Sequence, residues 1–502
     1  MKAGEFSTGW RLCRARPRRL GAPSHWLPEE FQNLANREEE AGLRQEEIFL
    51  LRPNGTPDHD VSAYLHDRSF RRLSGTTQES YAKDLRTHFN FLFSQDMDWR
   101  NSTVESFEDY EYWRRRDERN PARISGAKFS RELAACRRFY EWQTSRGNIV
   151  ASPIEAFTDD RSTNKSGISI PLSPKNARNN RVKWLTPEAF RQWKIMGLSG
   201  YSLDGLQQSS WRGRNEDRNA GFADLLWNSG LRLREGATLL SQEIPEMQSH
   251  ANFHRARLST AIAKGRGRNF WVSREALQSV EAYRMTSRAE AVGKAQKAGR
   301  YDDIPGKLIL HSVDAARRAK LVGDNGQLTS SSLDDISVEE RERLFIQVGG
   351  GIEPAMVWLT ESGMPMKYTS WEMVFETASR RCRSQLIPID CTPHMLRHSF
   401  ALRMLVSLIH ASDSRLGITA EERREYRMLF GDPWVLVQTM LGHANVEMTQ
   451  QVYLEPIQGL QVELFLNARE NNEQSFSAIL AEEIMSSPLV NKGVDTHGKT
   501  QS

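Results

Sequence analysis

Between Thr158 and Arg181 the chain reads TDDRSTNKSGISIPLSPKNARNNR, a polar run rich in Ser, Asn and Pro with no apolar periodicity. Such a composition buries too little apolar surface to join a core and behaves as a tether. A chain of 502 residues also exceeds what one hydrophobic core ordinarily covers. The run therefore splits the sequence into two parts that must fold around separate cores. We expect a first domain at 61–158, a linker at 159–182 and a second domain at 183–468, flanked by an arm at 1–60 and a tail at 469–502.

Helical spacing dominates the first domain. TTQESYAKDLRTHFNFLFSQDMDW sets Tyr81, Leu85, Phe89 and Leu92 on one face behind Thr and Ser capping candidates. STVESFEDYEYWRRR follows, with Ser102 as N-cap and Glu105 three residues on, a capping-box pattern. SGAKFSRELAACRRFYEWQTSRG carries Phe129, Leu133, Cys136 and Tyr140 on one side and runs out at Arg146-Gly147. Arg114, Arg115, Arg116, Arg131, Arg137 and Arg138 are candidate phosphate contacts on these two helices, or simply a solvated face. The arm is basic at RLCRARPRRL and lacks sustained periodicity apart from a charged helix candidate near 28–50, so it should be partly disordered.

WLTPEAFRQW opens the second domain, with Thr186 as N-cap and Pro187 in the first turn. From Met285 to Val348 the chain is charged and bears Gly and Ser, which reads as an insertion rather than core. In the tail, Phe476, Ile479, Leu480 and Ile484 are spaced for a short amphipathic helix that either folds back or docks on a neighbouring protomer. The expected fold class is mainly α with a small β-sheet.

Composition narrows the partners. Lys and Arg number 68 against 64 Asp and Glu, a net charge of +4, so a uniformly basic coat is excluded and any nucleic-acid surface must be local. Cys13, Cys136, Cys382 and Cys391 form no CxxC pair and read as free thiols in a reducing compartment. No stretch approaches the ~20 apolar residues of a membrane span. The Arg-rich start lacks the apolar region of a secretory signal. A cytoplasmic location without membrane contact is expected.

Four segments can carry chemistry. In CTPHMLRHSFALRM, Thr392 and Pro393 start a helix that holds His394 in its first turn and Arg397 on the same face. The positive end of the helix dipole disfavours a charged imidazole, so His394 should be neutral and able to take a proton near pH 7. In WVLVQTMLGHANVEMTQQVYLEP an apolar helix ends at Leu441, Gly442 allows a left-handed cap and His443 follows at once. Asn445 can cap a further helix that carries Tyr453. In FADLLWNSGLRLREGATLL two helices meet at Asn228-Ser229-Gly230, with Arg232 starting the second and Glu235 on its face, placed to hold a neighbour. RLSTAIAKGRGRNFWVS reads as two strands joined by a Gly-containing turn, with Lys264 near the tip and Arg266 and Arg268 after it as candidate phosphate contacts. Singly, each has a bland explanation: a satisfied histidine, a surface arginine, a solvated turn, a tyrosine with its hydroxyl in water.

Their succession is more specific. GLR, a lysine hairpin, HMLRHSFA and LGHANVEMTQQVY, in this order, resemble the tyrosine recombinase (phage integrase) family, and 61–158 is similar to that family's helical, SAM-like core-binding domain. The resemblance covers roughly 61–468. It implies an α+β catalytic domain acting on double-stranded DNA, with Tyr453 as nucleophile, Arg232 and Arg397 on the non-bridging phosphate oxygens, and His394 as base. Lys264 would protonate the 5′ leaving group, His443 would add a hydrogen bond, and Glu235 and His398 would support. Ionising a tyrosine of pKa ~10 at pH 7 costs roughly 4 kcal/mol, which a cationic site and a base would reduce. The product would be a 3′-phosphotyrosine link, formed without ATP, metal or other cofactor. It also implies a tetramer on paired sites, accessory or partner recombinase proteins, a bacterial nucleoid setting, and integration, excision or transposition of a mobile element. Departures are the long arm, the 285–348 excursion and an extra segment at 406–432. A type IB topoisomerase, a telomere resolvase, a metal-dependent nuclease and a catalytically silent DNA-binding regulator on the same fold remain as alternatives.

Overall fold

The computed structural model describes residues 9–15, 37, 47–154, 183–414, 433–442 and 490–491, apart from positions 203, 210, 325 and 350, and leaves out the side chains of 406, 409–414, 433–434 and 490–491. The expected linker, His443, Tyr453 and the tail helix lie outside the described residues. The chain divides into two compact units, Met1–Asn179 and Asn180–Ser502. Helices predominate in both, with small sheets beside them.

In the first unit, β1 (Arg11–Arg14) pairs antiparallel with β2 (Ile48–Leu51). Trp10 and Leu50 are buried in the same core as the helices, so the described part of the arm belongs to the fold. Two four-residue strands far apart in sequence are too short for periodicity to reveal. Helix α1 (His59–His66) is capped by Asp58, whose carboxylate accepts Asp60 N at 2.9 Å and Val61 N at 3.1 Å. Burial opposes ionisation of Asp58, yet hydrogen bonds from Arg52, Val61 N and Arg100 lower its pKa to about 2. After α2 (Arg68–Arg71), the long helices α3 (Gly75–Ser94), α4 (Val104–Arg115) and α5 (Gly126–Ser145) bury Leu85, Phe89, Leu92, Phe107, Tyr110, Phe129, Leu133, Cys136 and Tyr140. The cap of α4 sits one residue later than expected. Thr103 Oγ1 accepts Ser106 N at 3.2 Å and Ser106 Oγ accepts Thr103 N at 3.0 Å, displacing Ser102 and Glu105 from those roles.

In the second unit, β3 (Trp184–Leu185) leads into α6 (Pro187–Trp193), capped by Thr186 Oγ1 on Ala189 N at 3.1 Å. Helices α7 (Glu216–Ser229) and α8 (Leu233–Ala237) precede the antiparallel pair β4 (Phe253–Leu258) and β5 (Arg268–Ser273), followed by α9 (Arg274–Tyr283) and α10 (Ala289–Lys297). Strands β6 (Leu308–Val313), β7 (Arg318–Gly323), β8 (Leu328–Ser332), β9 (Leu344–Val348) and β10 (Gly351–Pro354) form a sheet ordered β10-β9-β6-β7-β8, parallel only at β6–β9, with α11 (Val338–Arg341) between β8 and β9. This is the segment read as an insertion outside the core. It has a core of its own: Leu310, Leu321, Leu333, Ile336 and Leu344 cluster with Leu240 and Met356 of the surrounding domain. Its solvent face is polar, which dilutes the apolar signal in sequence. Helices α12 (Ser370–Ser384), α13 (Pro393–Ser414) and α14 (Pro433–Leu441) follow, and β11 (Val490–Asn491) pairs parallel with β3. Among the described residues no helix is long and apolar enough to cross a membrane, and all four cysteines are free thiols.

Candidate active site

Two glycines set the backbone of the site. Gly230 ends α7 at φ +64°, and a Cβ there would fall 2.3 Å from Phe400 Cδ1 of α13. Gly442 ends α14 at φ +65°, where a Cβ would lie 2.8 Å from Arg268 Cδ. Both positions need the left-handed region and the missing side chain at once.

The carbonyls that finish α14 are each met by a different arginine. Arg268, from β5, donates Nε to Met440 O at 3.1 Å. Arg397, from α13, donates Nη2 to Leu441 O at 2.6 Å and Nη1 to Gly230 O at 2.6 Å. Arg232, at the N-terminus of α8, reaches Gly442 O with Nη2 at 3.4 Å. Unpaired helix-terminal carbonyls and the negative end of the dipole favour cations here. Three elements are thus pinned to the point from which the chain continues to His443.

Glu235 organises the arginines. Its carboxylate accepts Arg232 N at 2.8 Å, Arg232 Nη1 at 2.7 Å, and both terminal nitrogens of Arg268 at 3.0 and 2.8 Å. Burial opposes its charge, but the hydrogen bonds and charge of Arg268, with the charges of Arg397 and Arg232, hold its pKa down at about 2. The carboxylate is therefore ionised. Arg268 is buried, whereas the Arg232 side chain stays 30% exposed.

His394 occupies the first turn of α13, whose start is capped by Thr392 Oγ1 on Met395 N at 3.2 Å. Its pKa is lowered, first by desolvation and then by the charges of Arg397 and Arg232. The neutral ring expected from the helix dipole thus has further causes. The His398 ring, buried one turn on, meets it edge-on at 4.1 Å between centroids. Lys264 is exposed, not on a tight turn but on a longer loop, 259–267, between β4 and β5. Its backbone is left-handed at φ +51°, followed by Gly265 at φ +78°, while Ile262 and Ala263 beside it are buried.

The structure thus brings together Arg232, Glu235, Arg397, His394 and His398, and presents Lys264 on a loop. Three of the candidate arginines are buried. Arg268 was expected at the surface on phosphate; it is buried in a double ion pair with Glu235. Arg114 is likewise buried, bound to Glu132 through Nη2 at 2.6 Å and Nε at 3.0 Å. Neither can reach a phosphate without breaking a buried pair. Arg397 is 2% exposed and donates from each terminal nitrogen to a main-chain carbonyl. Of the other candidate phosphate contacts, Arg115 pairs with Glu111, Arg131 with Asp84, and Arg138 donates to Ser69 O. Arg137 is half-buried, and Arg116 and Arg266 are exposed. The inward pointing of Arg268 was available from alternation: it shares a strand face with the core residues Phe270 and Val272.

Neither a protein-family model nor a curated protein matches the sequence. Similar solved structures include XerH site-specific recombinase bound to palindromic difH substrate in a post-cleavage complex, 12% identical with a TM-score of 0.43 over 84% of this chain and 87% of that one. XerA recombinase is 14% identical, with a TM-score of 0.29 over 82% and 100% of the two chains. The Tn1549 transposon integrase in complex with circular intermediate DNA is 12% identical, with a TM-score of 0.37 over 77% and 92%. Likeness at this level leaves the role of each residue to the geometry above.

Proposed function

We propose that this chain is a tyrosine-type DNA strand transferase, a site-specific recombinase or integrase that exchanges strands through a covalent protein–DNA link. The observation that carries the reading is the convergence of Arg268, Arg397 and Arg232 on three consecutive carbonyls, Met440 to Gly442, immediately before His443. An excess of positive charge around one ionised carboxylate suits the trigonal-bipyramidal transition state of phosphoryl transfer, which carries more negative charge on its oxygens than the diester. Arg232, partly exposed and held by Glu235, is the donor best disposed to meet that phosphate. Arg397 contributes charge and fixes the ends of α7 and α14.

In this reading the phenolic oxygen of Tyr453 attacks phosphorus, its proton passes to neutral His394, and the phosphorus–O5′ bond breaks as Lys264 protonates the departing oxygen. His443 donates a hydrogen bond to the phosphate. One phosphoester replaces another, so the link stores the bond for rejoining by a 5′-hydroxyl from a second strand. Double-stranded DNA is the partner, and assembly into a tetramer on paired sites follows from the need to bring two duplexes together.

The test is covalent adduct formation on a nicked duplex selected for binding from a random-sequence pool. The intact chain should give a DNA-linked band that survives denaturation and EDTA, and Tyr453→Phe should give none. An adduct that persists in Tyr453→Phe means another nucleophile, and loss of cleavage in EDTA means a metal-dependent reaction. With circular substrates, recombinant products and Holliday junctions support strand exchange, while relaxed circles alone would make the protein a topoisomerase.

A further inference from the structure

The sheet inserted between α10 and α12 meets the loop that carries Lys264. Ala261 N donates to Asp334 O at 2.9 Å, joining the loop to the turn after β8. Ser259, buried at the root of the loop, donates its hydroxyl to the Glu243 carboxylate and lies 3.2 Å from Leu333 O. Arg317, from the turn before β7, donates Nη2 to Ser259 Oγ at 2.9 Å and to Asp334 Oδ1 at 2.9 Å, with Glu243 Oε1 at 3.4 Å. Arg341, at the end of α11, is 0% exposed. It donates to both oxygens of Glu243, at 2.5 and 3.0 Å, and to Thr238 O just past α8 at 2.9 Å. Glu243 and Asp334 thus balance Arg317 and Arg341 in one network that spans the inserted sheet, the end of α8 and the root of the lysine loop.

Two non-glycine residues at this joint, Arg317 at φ +59° and Lys264 at φ +51°, sit in the left-handed region. Such backbone costs roughly 1–3 kcal/mol per residue and persists only where its surroundings over-determine it. The network supplies that constraint at Arg317 directly. At Lys264 it acts through Ser259 and Ala261, with Ile262 and Ala263 sunk in the core.

We propose that the inserted sheet is a brace for the general acid: Arg317 and Arg341 are positioning residues that, through Ser259 and the main chain of Ala261, hold the loop presenting Lys264. The proposal rests on the reading of Lys264 as the donor of a proton to the 5′ leaving group. A long exposed lysine on an unheld loop would sample many positions, and proton transfer requires one of them. The insertion is then part of the reaction's machinery.

The experiment compares two nicked duplexes of the same selected sequence, one with the ordinary scissile phosphodiester and one with sulfur replacing the bridging 5′ oxygen. A thiolate leaves without protonation, so a defect confined to the general acid disappears on the sulfur substrate. Arg317→Ala and Ser259→Ala should cleave the oxygen substrate roughly 10- to 100-fold more slowly than the intact chain and the sulfur substrate within about threefold of it. Ser259→Ala keeps every charge of the network and guards against an Arg317 variant that fails to fold. Lys264→Ala should show the same pattern with a larger loss. If Lys264→Ala is slow on both substrates, the general-acid reading falls. If sulfur rescues Lys264→Ala while the Arg317 and Ser259 variants are slowed equally on both substrates, or on neither, the brace is overturned and the general acid stands.

Discussion

Each unit buries a glutamate against an arginine, and the two arrangements differ in what is left over. In the first unit Glu132 takes Nε and Nη2 of Arg114, while Arg114 Nη1 goes to Ala122 O at 2.8 Å and Tyr110 donates its hydroxyl to Glu132 at 2.9 Å. Lys128 lies between Asp84 and Glu132, at 2.9 and 3.4 Å, and Arg131 reaches Asp84, so two carboxylates face three cations. In the second unit one carboxylate, Glu235, faces Arg268, Arg232 and Arg397. Arg268 closes the pair as Arg114 does, but Arg232 is held at the rim with 30% of its side chain exposed, against 9% for Arg114. A buried carboxylate in a cluster where two carboxylates nearly balance three cations is a strut between helices. One that closes on a first arginine and steadies a second in reach of solvent fixes a cation in space, which is what an anionic transition state requires.

The sharpest way to break this contrast is to truncate one arginine from each cluster. Arg232→Ala should slow adduct formation by about 10²–10³-fold, the scale of one lost transition-state donor, with DNA binding and thermal midpoint little changed. Arg114→Ala should do the reverse, costing about 3–5 kcal/mol in denaturant unfolding because the buried Glu132 carboxylate loses both of its guanidinium hydrogen bonds, with single-turnover cleavage by the folded fraction preserved. Equal loss of binding and cleavage in Arg232→Ala would make it a positioning residue, and a cleavage defect in folded Arg114→Ala would erase the division between strut and site.

A smaller effect separates the site carboxylate by pH. Glu235 has a folded pKa of about 2 against 4.5 ordinarily, so the folded state binds its proton less readily than the unfolded chain. Its ionised form therefore contributes stability that is fully present above pH 4.5 and is lost as pH falls towards 2, about 3 kcal/mol in all. Urea unfolding between pH 5 and pH 2.5 should show that loss, and Glu235→Gln, less stable at every pH, should show a shallower slope. An unchanged slope would mean that Glu235 is not the group through which the arginine cluster resists acid.

How far the sequence could disclose these clusters depends on side-chain geometry more than on motif. The helix starts at Thr392 and Thr186, the turn at Gly230, the left-handed cap at Gly442 and the inward faces of α3 and α5 follow from local chemistry and are legible. Arg114 falls in step with Phe107 and Tyr110, and Arg268 with Phe270 and Val272, so periodicity already turned both inward. A carboxylate of equal periodicity, Glu132 beside Phe129 and Leu133 on α5, is the sequence signal of a buried partner for Arg114. What no local rule could give is long-range pairing. The hydrogen bond from Arg397 to Leu441 O and the contact of Arg317 with Ser259 join residues far apart in the chain. The strand Arg11–Arg14 is stabilised only by a partner at Ile48–Leu51 and a core built from helices beyond it.

The finest distinction lies within the basic surface of the first unit, where Arg114 and Arg116 stand two residues apart and face opposite ways, one buried and one exposed. Each phosphate neutralised by a protein cation releases condensed counterions, so the slope of log K against log salt falls by about 0.9 per contact on B-form DNA. If Arg116 meets the backbone, Arg116→Ala should flatten that slope by about 0.9 and weaken binding uniformly across sequences, with cleavage of bound DNA unaffected. Arg114→Ala, measured where it remains folded, should leave the slope where it was, because a guanidinium committed to Glu132 and Ala122 O releases no ion from DNA. A shared change in slope would mean that the Glu132 pair opens on binding, and the strut would then be a latch between free and bound forms. An unchanged slope in Arg116→Ala would remove the exposed arginine from the DNA face and leave the binding charge to be sought elsewhere on the unit.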